Sequence, residues 1–115
     1  MITIRNFSGQ VLYNINNGEI RDFYGRVEAR YDSQYLKDFY GMIRYKFTGN
    51  EIRDYSGMVL FRLDGKYVRR FSGLFEYTID DQYLKNYSGQ IIYKFEGNLS
   101  ELDKMAIFAF ILGRS

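Results

Sequence analysis

The sequence predicts a mainly β fold: a twelve-stranded antiparallel meander barrel of six 16-residue hairpin repeats, enclosing a hydrophobic C-terminal α-helix. Three observations carry that expectation. Gly9, Gly25, Gly41, Gly57, Gly73 and Gly89 recur sixteen residues apart without a slip. Apolar and polar residues alternate after each glycine, the period-two pattern of a strand with one buried face. The chain then closes on a stretch unlike the rest, LSELDKMAIFAFILG over 99–113, in which every residue from Met105 to Leu112 is apolar.

Six copies of one spacing mark an internal repeat, which sets the architecture before any local reading of secondary structure. Five places before each glycine stand Ile4, Ile20, Leu36, Ile52, Val68 and Leu84. Two before it stands a ring in every copy: Phe7, Phe23, Phe39, Tyr55, Phe71 and Tyr87. Positions two, four and six after it are apolar or aromatic, as in Val59, Phe61 and Leu63 of the fourth copy. Asp22, Asp38 and Asp54, with Asn6 and Asn86, stand three before a glycine, where a type I turn favours Asp or Asn; Arg70 does not fit. Asp64-Gly65 is a two-residue hairpin signal, kept as Thr48-Gly49 and Glu96-Gly97 and shifted by one in Asn16-Asn17-Gly18. In Asp80-Asp81 an aspartate is expected to take the left-handed place of the glycine. Each repeat is therefore two strands and two turns.

For register, a four-residue loop around each repeated glycine is expected, pairing Ile52 with Val59 and Phe61 with Val68, all inward. A three-residue loop with a bulge would set Ile52 opposite Leu60 and turn the faces out of phase. Under the four-residue loop, the aromatic two before each glycine folds over the sheet end as a lid.

Ser100, with Asp103 three residues on, supplies an N-cap and an acidic group near the positive end of a helix dipole. Gly113 is expected to end that helix in a left-handed conformation. No polar stripe follows the first turn, so the helix should be buried on all sides. It is too short for a membrane span of about 20 residues. Twelve strands as an open sheet would exceed the usual limit of about ten and leave two edges, and closure removes both. A twelve-stranded barrel has a radius of roughly 10–11 Å, too wide for side chains alone but suited to one helix. The alternative is a curved open sheet with the helix across one face. The whole chain, 1–115, reads as one domain, with 1–97 the barrel and 98–113 the helix.

Sixteen Lys and Arg against fourteen Asp and Glu give a net charge of +2, which does not mark a nucleic-acid binder. With no Cys and no His, the chain lacks thiolate chemistry, the commonest general base and the commonest metal ligand. No cofactor and no enzymatic activity are expected. The start, MITIRNFSG, lacks a basic head and an apolar core, so no signal peptide is read and a cytoplasmic location is expected.

The hairpins typified by IRDYSGMVLFRLDG (52–65) and the terminal DKMAIFAFILG (103–113) together resemble the tubby-like fold of Tubby C-terminal domains, phospholipid scramblases and LURP-one-related proteins. That resemblance implies a twelve-stranded barrel around a C-terminal helix, and some of those proteins bind phosphoinositides. No ligand residue of that family maps onto a position here. The chain departs from it in its shortness and its near-perfect repetition.

One surface feature could bind. Arg21, Lys37, Arg53, Arg69 and Lys85 recur four before a glycine, and Arg30, Lys46, Arg62 and Lys94 five after, all expected on the outer wall with Arg44 nearby. With Tyr35, Tyr67 and Tyr83 beside it, this band suits anionic headgroups or phosphates. The plainer reading is a solvated wall that keeps the strands soluble. The functional expectation is a binding or structural module whose partner is a protein or an anionic lipid surface. Nucleic acid is disfavoured, and the chain would be a monomer or weak homo-oligomer. Where five copies carry a ring four after the glycine, the second carries Ala29, a gap that Phe108 or Phe110 would fill.

Overall fold

The alternation around each glycine becomes two strands per repeat. In the computed structural model, which describes residues 1–113, the strands before the glycines are β1 (Ile2–Asn6), β3 (Glu19–Asp22), β5 (Tyr35–Asp38), β7 (Glu51–Asp54), β9 (Tyr67–Arg70) and β11 (Tyr83–Asn86). Those after them are β2 (Val11–Asn16), β4 (Val27–Tyr31), β6 (Ile43–Thr48), β8 (Val59–Asp64), β10 (Phe75–Ile79) and β12 (Ile91–Glu96). All twelve pair antiparallel in chain order, and β1 pairs with β12 to close the barrel, so the open-sheet alternative falls. The closing register sets Ile4 opposite Phe95. Ile15 with Ile20, Phe47 with Ile52 and Leu63 with Val68 repeat the same pair between successive repeats. Repeat six therefore meets repeat one as any repeat meets the next, and no edge is left unpaired.

The hairpin register corrects the four-residue-loop expectation. Asp54 donates its N–H to the Met58 carbonyl and accepts from the Gly57 N–H, which leaves a three-residue loop of Tyr55, Ser56 and Gly57. Gly57 has φ +97°, the left-handed residue such a loop requires. A second irregularity follows. Arg53 lies opposite Val59, yet Ile52 lies opposite Phe61, so Leu60 is an extra residue in β8. This bulge recurs in all six hairpins. The loop alone would have put Ile52 opposite Leu60; the bulge adds one residue and restores the inward phase. Val59 and its counterparts therefore pair with outward basic residues and none is buried. Phe61 faces Arg70 rather than Val68, whose partner is Leu63.

The other set of turns uses two chemistries. Asn17, Gly18, Gly49 and Gly65 take positive φ as the hairpin signals demand. In the second and fifth repeats, Asp32 and Asp80 instead accept the backbone N–H groups two and three residues on through their Oδ1. Asp81 does not take the left-handed conformation expected of it, because the Asp80 side chain already supplies the turn.

Helix α1 (Glu101–Leu112) fills the lumen, with Met105 to Phe110 all buried. Ser100 Oγ accepts from the Asp103 N–H at 3.0 Å and Asp103 Oδ2 accepts from the Ser100 N–H at 2.9 Å, a complete capping box. Phe108 meets Phe61 and Tyr77 edge-on at 5.0 and 5.3 Å, and Phe110 meets Tyr13 at 4.9 Å. Gly113 corrects its expectation: it has φ −69°, right-handed, and its N–H bonds the Ala109 carbonyl. A glycine suits the place because a Cβ there would lie 3.2 Å from the Tyr45 hydroxyl.

Candidate functional site

The helix gives the barrel two distinct rims. Its N-terminus sits at the rim of the two-residue turns, where Lys104 Nζ lies 3.5 Å from Asp81 and Tyr31 donates to Asp103 Oδ1 at 2.5 Å. Burial, and then the bond to Asp103, push the Tyr31 pKa well above the tyrosine range. The helix C-terminus reaches the opposite rim, that of the repeated glycines.

The nine basic residues of the expected band stand on the outer wall, half-buried to exposed. The register sets cation against cation: Arg30 opposite Lys37, Lys46 opposite Arg53, and Arg62 opposite Arg69. Such pairs are unfavourable alone, and the residue two before each of the first set answers them. Where it is Glu, one carboxylate serves two arginines. Glu19 bonds Arg21 at 2.7 Å and Arg30 at 3.0 Å; Glu51 bonds Arg53 at 2.5 Å and Arg62 at 3.2 Å. Hydrogen bonds from Arg21 and Arg30 hold the Glu19 carboxyl below the usual range, and Arg53 and Arg62 do the same for Glu51. Where it is Tyr, the cation lies over the ring: Lys37 on Tyr35, Arg69 on Tyr67 and Lys85 on Tyr83, at 5.2–5.7 Å. Arg21 and Arg53 also donate to the Gly25 and Gly57 carbonyls at 2.7 and 2.8 Å, fastening the turns. Lys46 and Lys94 stand opposite Tyr35 and Tyr83, and Arg44 pairs with Asp38 at 2.9 Å. The band is thus a set of local pairings around the wall rather than a convergent site.

The glycine rim is different. Its aromatic residues do not form the expected lid. The three-residue loop projects them into water, from 53 % exposed at Phe39 to 77 % at Tyr87. Tyr24, Tyr40, Met42, Met58 and Leu74 join them, all exposed. The result is an apolar crown around one end of the barrel. The residues from five before to four after the glycines carry nine Lys and Arg against five Asp and Glu; the rest of the described chain carries six against nine. The crown end is therefore the positive end. Sequence reasoning found these rings but misplaced them, since a ring beside a turn glycine reads equally as lid or as projection until the loop length is known.

In one sector the crown opens into a cleft of about 640 Å³ that runs down to Phe110 and Gly113 at the helix end. Ala29, only 3 % exposed, is part of its wall. The missing ring leaves this space between the strands and the helix end, and Phe110 borders it without filling it.

Among the described residues no three His, Cys, Asp or Glu side chains gather to hold a metal ion. No described helix is long and apolar enough to cross a membrane. No family model matches the chain, and no curated protein or solved structure matches it. Twelve antiparallel strands around one helix agree with the general architecture of the tubby-like fold.

Proposed function

We propose that the protein is a non-enzymatic binding module that docks its crown on an anionic membrane surface, as a minimal member of the tubby-like group. The exposure of six rings on one rim carries this reading. Contiguous exposed apolar surface on a folded domain marks an interaction site, and aromatic side chains favour the membrane–water boundary. The positive balance of the same end adds attraction of about 1 kcal/mol for each basic residue near an anionic leaflet. The cytoplasmic leaflet carries such lipids, in keeping with a cytoplasmic location. The wall cations then serve as a field behind the crown, held in place by their glutamate and tyrosine partners.

Vesicle sedimentation tests this with neutral and anionic lipid at low and high salt. Binding is expected on anionic vesicles, weakened by salt, and reduced at least tenfold by combining Phe7→Ser, Phe71→Ser and Tyr87→Ser. Those positions are exposed, so the variant should keep its thermal transition. No binding at low salt overturns the membrane reading and leaves a protein partner for the crown.

A further inference from the structure

The crown cleft has a chemistry of its own. Phe39, Tyr40, Tyr45, Tyr55 and Phe110 contribute five rings to its lining, and Asp54 stands among them. The three turn aspartates differ in what meets their side chains. Asp22 Oδ2 accepts from Arg26 at 3.0 Å and Asp38 Oδ2 from Arg44 at 2.9 Å. In the fourth repeat Met58 and Leu60 occupy the places of those two arginines. Asp54 Oδ1 takes the Ser56 and Met58 N–H groups and the Ser56 hydroxyl, and among the described residues no arginine pairs with this carboxylate as Arg26 and Arg44 do with theirs. The Ser56 hydroxyl and then the Met58 N–H hold this carboxyl below the usual range, so it is ionised at neutral pH. The cleft's cations are already engaged, Arg44 by Asp38 and Lys37 by the Tyr35 ring.

We propose that this cleft is a binding site for an organic cation, a quaternary ammonium group borne by a small free molecule or by a lipid headgroup. Ring faces attract such a cation through their quadrupoles, and several rings around one cavity form the cage that quaternary ammonium ligands require. The Asp54 carboxylate, with no cationic side chain of the described residues paired to it, supplies the counter-charge. The gap at Ala29 supplies the depth, since the other repeats carry a ring there. The volume lies within the roughly 300–1,000 Å³ of small-molecule sites. This site goes beyond membrane docking: its dependence on Asp54 and on the cation's charge is separate from the crown's dependence on anionic lipid, so the two readings fail separately.

The test is an amide-resolved NMR titration with choline and with its neutral isostere, in which carbon replaces the quaternary nitrogen. Choline should shift amides of residues 38–45 and 54–60, and the isostere should bind roughly five- to thirtyfold more weakly. Asp54→Asn should weaken choline several-fold and leave the isostere unchanged. Its turn survives, because Asn6 and Asn86 make the same backbone contacts in their own repeats. Tyr40→Ala and Tyr55→Ala remove ring faces from exposed positions and should weaken choline further. Phosphatidylcholine vesicles that shift these amides through Asp54 where free choline does not identify the lipid-borne source. Equal binding of choline and isostere, indifference to Asp54→Asn, or no shift with either source overturns the proposal.

Discussion

At the glycine rim, every repeat lifts a ring into water on a three-residue loop; at the other rim, polar turns surround a helix terminus fastened to the wall by Tyr31 and Lys104. Both rims are built by the same six repeats. The helix rim spends its special residues on closure: Gly97 has φ +109°, and a Cβ there would come within 2.6 Å of the Met1 carbonyl as the chain turns into the lumen. The crown spends its special residues on turns, and its rings stand exposed, some meeting one another as Phe39 and Tyr40 do with centroids 3.9 Å apart. Stability therefore concentrates at the helix and its rim, and the binding we propose at the crown. A surface that costs the fold little to change, yet repeats a ring six times, is set apart from core packing.

That separation can be broken most severely by truncation after Gly97. Removing burial of Met105, Ile107, Phe108 and Phe110 forfeits roughly 6–12 kcal/mol of transfer free energy, comparable with the whole stability of a small domain. Loss of the cooperative denaturation transition is expected; a truncated chain that still melts cooperatively would show that the barrel stands without its plug.

Tyr31→Phe probes the helix rim alone. It removes one hydrogen bond to a carboxylate, with an expected loss of about 1.5 kcal/mol by chemical denaturation. It also has a pH signature. The folded-state pKa of Tyr31 is raised, so its contribution is complete below the unfolded value near 10 and is lost as pH rises above it. The variant should lack that part of the alkaline destabilisation.

The smallest effect belongs to the crown. Arg70 stands where the other repeats place an Asp or Asn that accepts two turn N–H groups, and its own guanidinium pairs with Glu76 at 2.6 Å. Arg70→Asn restores the side-chain acceptor and gives up one surface ion pair, whose worth is at most about 1 kcal/mol. A gain of about 0.5 kcal/mol is expected. A loss of stability would mean that the Arg70 pair with Glu76 outweighs the turn bonds.

Much of the fold was legible because it repeats. A sixteen-residue period, a ring or aliphatic side chain at fixed offsets and one polar-free helix leave little choice beyond a meander around a plug. The candidate site was read less well. The basic band is visible at fixed offsets, but its answers differ by repeat, Glu in two and Tyr in three, and only contact geometry shows them engaged. The crown was mistaken for a lid because loop length was misjudged by one residue. Two compensating irregularities, the left-handed glycine and the bulge at Leu60, leave the inward pattern four and six residues after the glycine intact, so no count of apolar positions exposes them. The cleft was anticipated only as a small residue at Ala29 that Phe108 or Phe110 would fill.

By itself the sequence determined the number of strands, their order, the turn residues and the capped, wholly apolar helix, because period, turn chemistry and capping act over a few neighbouring residues. The tertiary structure alone decided the register, the outward throw of the crown rings and the opening beside Asp54. Those depend on how strands from different repeats meet across space, where a one-residue shift exchanges the buried face for the wet one.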